Sequence, residues 1–142
     1  MIEIKDIDRK IVSRYLGLKP DEVNDVMTGL IDEAEALVKK DSEVYYVCGI
    51  YDIERREDGI WLDEVGVLLK GADIAKHLEG CEKAVLLCAT LSGHIDTRIR
   101  SLQITNMPLA LVYDACASVA IDQACDSIQN YVRERLPEYV QT

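Results

Sequence analysis

Phenylalanine is missing from all 142 residues, tryptophan occurs once (Trp61) and proline three times. A core made from this chain is therefore aliphatic, helped by seven tyrosines, and few helices or strands are interrupted from within. Basic residues are scarce as well: 16 Lys and Arg face 26 Asp and Glu, a formal charge of −10. Such an excess repels phosphate backbones and anionic bilayers, so neither nucleic acid nor membrane is expected as a partner. No run of about 18 apolar residues occurs, and the opening Met1-Ile2-Glu3-Ile4-Lys5-Asp6 is too charged for a secretory leader. The eight glycines are scattered, with no phosphate-cradling spacing. His77 and His94 lie far apart with no Cys or His at ligand spacing, which speaks against zinc. His94, after Ser92-Gly93, reads as a surface residue of a first helical turn rather than as a general acid or ligand contact. The five cysteines show no close pairing; their odd number and the lack of a leader point to reduced thiols in the cytoplasm.

What is present is an ordinary globular composition, 49% apolar and 30% charged, at a length that suits one domain over residues 1–142. The acidic excess is concentrated early: residues 1–70 hold 17 acids and 10 bases, residues 71–142 hold 9 and 6. A short opening strand at Ile2–Ile4 is expected, then a helix over 7–16 with Ile11 and Leu16 inward and Gly17 as its stop. Pro20 and Asp21-Glu22 suggest the start of a second helix. Its apolar stripe, Val23, Val26, Met27, Leu30, Ile31, Ala34, Leu37 and Val38, ends at Lys39-Lys40. The β-branched and aromatic run from Val44 to Tyr51 reads as a strand, Asp58-Gly59 as a turn, and Ile60-Trp61-Leu62 as its hairpin partner. A third strand over Val65–Leu69 and a short helix over Ala72–Leu78 follow. The continuous apolar run Ala84–Ala89 predicts a central strand buried on both faces. Two helices close the chain, one over 92–104 capped by Ser92, the other running from Pro108 to about Leu136 and ended by Pro137. This order predicts an α+β fold: a small, largely antiparallel sheet covered by helices, with a long C-terminal helix.

On that last helix Asp114, Ser118, Asp122 and Asp126 recur every four residues and form one polar ridge among small and apolar neighbours. Acids at this spacing repel one another modestly and contribute nothing to helix stability. Spacing alone favours a solvated acidic face. The other reading is a set of carboxylates that receives the ammonium or sulfonium charge of a ligand, since a carboxylate taken out of water needs a partner.

The stretch from Cys81 to Gly93 (CEKAVLLCATLSG), that from Asp114 to Asp122 (DACASVAID) and Arg14-Tyr15-Leu16-Gly17 together resemble the activation domain of cobalamin-dependent methionine synthase, in its small stand-alone form. The resemblance runs over most of the chain and agrees with the order of elements. It implies an α+β domain that binds S-adenosylmethionine. It implies as partner a methionine synthase or related corrinoid protein that carries the cobalamin. In that family a flavodoxin or similar donor supplies an electron to oxidised cobalt, and the domain presents the sulfonium methyl to the reduced metal. The protein then contributes orientation and electrostatics rather than a nucleophile. Carried over by position, the resemblance assigns ligand binding to Asp114, with Ser118 and Asp122 along the same ridge. Ser118 stands at a step that is acidic in the fused enzymes, and Asp122 where relatives commonly have Glu. The family's Arg-x-x-Pro-Gly-Tyr segment is expected just after Tyr139-Val140-Gln141-Thr142. Two readings follow: an accessory protein of cobalamin-dependent methyl transfer, or a non-catalytic interaction module that kept the fold and lost the ligand. An open sheet edge, and with it a homo-oligomer, is expected if that segment is missing.

Overall fold

A computed structural model describes residues 2–135. It is α+β: five helices and a four-stranded antiparallel sheet whose strands lie in the order Val67–Leu69, Gly59–Leu62, Tyr45–Arg56, Lys83–Thr90. The described chain divides into two compact units, residues 2–45 with 89–132 and residues 46–88 with 133–135.

The first unit is helical. α1 (Arg9–Tyr15) starts at Asp8, whose carboxylate accepts the N–H groups of Lys10 and Ile11, and stops at Gly17 in the left-handed region (φ 71°). Its fully buried residue is Val12, while Ile11 and Leu16 are half-buried at the edge of the core. Pro20 does not open the second helix. It sets a single 3-10 turn, Pro20–Glu22, in which the Glu22 carboxylate takes the Lys19 N–H at 2.7 Å. The helix proper, α2 (Asp25–Asp41), begins one turn later, where Asn24 Oδ1 accepts the Met27 N–H at 3.0 Å. A side-chain cap outcompetes a favourable proline here. The last two helices match their expected places. α4 (Gly93–Thr105) follows Ser92, whose hydroxyl accepts the His94 N–H, and α5 (Met107–Arg135) has Pro108 in its first turn. The expected stop at Pro137 lies outside the described residues. Ile31, Ala34 and Val38 of α2, Ile95 and Leu102 of α4, and Leu109, Val112, Tyr113, Cys116, Val119 and Ala120 of α5 form the core. Tyr113 is its largest fully buried side chain.

Residues Ile2–Ile4 join no strand. The segment they belong to is held by side chains instead. Gln123 of α5 accepts the Asp8 N–H and donates to the Asp6 carbonyl, both at 3.0 Å, and buried Glu35 of α2 accepts the Ile7 N–H. These bonds take up backbone groups of residues 6–8 without a strand partner.

In the second unit β1 (Tyr45–Arg56) and β2 (Gly59–Leu62) pair from Arg56↔Gly59 to Ile53↔Leu62 around the turn Glu57-Asp58. Gly59 is required there: its φ is 155°, and a Cβ would collide with the Leu69 carbonyl oxygen on β3 (Val67–Leu69). The Arg56 guanidinium stacks 4.4 Å from the Trp61 ring centroid, and the indole N–H donates to Asp63 at 3.2 Å. α3 (Ala72–His77) packs against β2, and its end is tied by Arg55, which donates to the carbonyls of Ala75 and Leu78. The run expected as a central strand, β4 (Lys83–Thr90), lies instead at the edge of the four described strands. Val85 and Leu86 are 38% and 39% exposed. A short apolar run records hydrophobicity and not neighbours, so it could not distinguish an edge from a centre.

Candidate functional site

The polar ridge of α5 belongs to the helical unit. Leu109, Val112, Cys116, Val119 and Ala120 pin the opposite face of the helix into the core and fix the ridge outward. Asp114 is exposed, and its carboxylate has no hydrogen bond or ion pair among the described residues. The Ser118 hydroxyl donates back to the Asp114 carbonyl at 3.0 Å, a bond internal to the helix. Asp122 is exposed and accepts the Tyr15 hydroxyl at 2.9 Å. That bond to a carboxylate raises the Tyr15 pKa. Ser118 is half-buried, and Asp126 is exposed.

Two clefts flank the N-terminal segment. One, of about 210 Å³, is lined by Glu3, Ile4, Gln123, Asp126 and Ser127; the other, of about 480 Å³, by Ile2, Glu3, Lys39, Ser42 and Tyr45. Of the ridge, Asp126 alone reaches either cleft; Asp114, Ser118 and Asp122 line neither. Ser42 Oγ is buried and finds no partner among the described residues.

Ionic chemistry is concentrated elsewhere in the unit. Asp41, at the end of α2, receives Arg98 of α4 in a two-pronged pair (2.8 and 3.0 Å) and the Tyr113 hydroxyl of α5 (2.9 Å). The Arg98 bonds hold the Asp41 carboxyl below its ordinary value against the cost of burial. Burial, reinforced by Asp41, pushes the Tyr113 phenol far above its ordinary value. Glu35 is 8% exposed, and burial opposes its charge. Lys39 (3.1 Å) and Arg9 (2.9 Å) outweigh that and lower its pKa. Arg9 also meets Asp32 at 2.6 Å, and Lys39 meets Asp6 at 2.9 Å. These are structural ties between segments: each charge already has its counter-charge.

Sequence reading did not find Tyr15 at Asp122, Gln123 as a clip, or the Asp41–Arg98–Tyr113 cluster. Their partners are 107, 115 and up to 72 residues apart, and no local pattern encodes such pairs. His94 is an exposed first-turn residue of α4. Cys116 is buried, and burial raises its thiol pKa to about 11, while Cys48 and Cys88 are exposed. Among the described residues no three His, Cys, Asp or Glu side chains gather as a metal site, and no helix is long and apolar enough to cross a membrane. Compared with protein-family models and with curated proteins, the sequence matches none.

Proposed function

We propose that this chain is an accessory protein of cobalamin-dependent methyl transfer, with S-adenosylmethionine as its small ligand and a cobalamin-carrying methionine synthase or related corrinoid protein as its partner. The observation that carries the reading is the resemblance of Cys81–Gly93 and Asp114–Asp122 to the activation domain; the α+β class of the fold agrees with what that resemblance implies. Of the three ridge residues Asp114 fits the ligand best. Its carboxylate is exposed and unpaired among the described residues, so it is free to meet an ammonium or sulfonium group. Asp122 must first release the Tyr15 hydroxyl. S-adenosylmethionine supplies the methyl group; this chain's part is to bind and orient it. Calorimetric titration tests the reading: micromolar binding that is lost in Asp114→Asn supports it, and no heat at millimolar ligand removes it.

A second reading, an interaction module without the ligand, is favoured by a specific observation. Asp114 and Asp122 face solvent, and neither lines either of the clefts beside the N-terminal segment.

A further inference from the structure

The solvent-facing side of α5 is not polar throughout. Met107 is 51% exposed and Leu111 60%, and Ile104, three residues earlier at the end of α4, is 88% exposed. Singly exposed aliphatic side chains are ordinary, but Met107 and Leu111, one turn apart on the same helix, form a contiguous exposed apolar strip. Met107, Leu111, Asp114, Ser118 and Asp122 follow one another at steps of four, three, four and four, so they share one face of the helix. The face is apolar over its first two turns and anionic over the next two. No Lys or Arg occurs on α5 before Arg133, so no cation of this helix neutralises the carboxylates between Met107 and Val132. The core side of the helix is closely filled, which leaves this face for an external partner.

We propose that this face of α5 is a docking surface for an amphipathic helix of a partner protein, carrying large apolar residues at one end and Lys or Arg at the other. Charge complementarity selects that occupant. A second copy of this chain brings another −10 charge and, with no Lys or Arg on α5 before Arg133, offers the same face no counter-charge for Asp114 and Asp122, so self-pairing is disfavoured relative to a cationic partner. The apolar end provides the buried contacts, and the acidic end fixes direction and speeds encounter. The inference needs only the exposed surface and stands apart from S-adenosylmethionine binding.

The probe is a synthetic helical peptide of about 18 residues, long enough for the roughly 23 Å from Met107 to Asp122, with Leu at one end and Lys at the other. Binding to the full-length chain is read by fluorescence anisotropy. A saturable complex is expected that weakens about tenfold in Leu111→Glu, and about tenfold in the double variant Asp114→Asn/Asp122→Asn, whose loss shrinks at high salt. Glu57→Gln, a charge change in the hairpin turn, is expected to leave affinity unaltered. Circular dichroism of each variant confirms the fold, and the single variant Asp114→Asn separates loss of charge from loss of the Tyr15–Asp122 bond. Equal weakening in all variants, affinity unchanged in Leu111→Glu, or no complex at all overturns the proposal. So does association of the chain with itself that Leu111→Glu abolishes.

Discussion

Tyr113 of α5 donates its hydroxyl proton to Asp41 at the last residue of α2, 2.9 Å away, across 72 residues of sequence. The same carboxylate is gripped by Arg98 of α4, so one acid joins three helices of the core. A bond to a charged acceptor in such a place contributes about 1.5–3 kcal/mol. Tyr113→Phe keeps the ring and removes the bond, and is expected to lower unfolding free energy by about 2 kcal/mol. Arg98→Met leaves the largely buried Asp41 without its cation and is expected to cost more, about 3 kcal/mol. Urea unfolding of the two variants checks the order.

Stability should fall at both ends of the pH scale. Asp41 and Glu35 have folded pKa values below their ordinary 3.8 and 4.5. Their contribution is therefore complete above those values and is lost as pH drops through the folded ones. Tyr113 is shifted the other way: the unfolded phenol ionises near 10, the folded one later, so stability declines as pH rises past 10. Asp41→Asn should flatten the acid limb, measured as unfolding free energy against pH.

Thiol reactivity should separate the cysteines. Cys116 is fully buried with its pKa raised to about 11, whereas Cys48 and Cys88 are exposed. A thiol reagent at mildly alkaline pH is expected to label Cys48 and Cys88 in the native protein, and Cys116 only after denaturant is added. Peptide mapping of the labelled sites decides it.

Gln123→Ala removes both hydrogen bonds that clip the segment before α1 to α5. The expected cost is about 1–2 kcal/mol, with a sharp rise in hydrogen exchange at the Asp8 amide and little change at core amides of α5. Gly59→Ala, by contrast, should destabilise the hairpin by about 2 kcal/mol or more through backbone strain and collision with Leu69, read as a lowered melting temperature.

Elements with strong period or punctuation were legible in the sequence. The stripe of α2 from Met27 to Val38, the Ser92 cap, Pro108 in the first turn of α5, and the hairpin closing at Gly59 all rest on local chemistry, and each stands where that chemistry puts it. The first two residues of the expected stripe do not, since Val23 precedes the helix and Val26 is 74% exposed once Asn24 starts it. What local chemistry could not rank was competition between neighbours. Asn24 displaced Pro20 as the start of α2 because a side chain that satisfies an amide outweighs a ring that merely lacks one. The opening segment was captured by Glu35 and Gln123 rather than by a strand, and β4 took an edge. The α5 ridge was visible as a spacing. That Met107 and Leu111 extend it with exposed apolar surface, and that Tyr15 closes over Asp122, depended on which side of the helix the core claimed.

Trp61 lies under Arg56 on the β-hairpin, and the unit built around Tyr113 contains no indole. Emission excited selectively from tryptophan thus reports on the sheet alone, while far-ultraviolet ellipticity is dominated by the helices. Melting curves from the two signals will coincide if the halves cooperate and separate if they unfold in turn, with no engineered label needed.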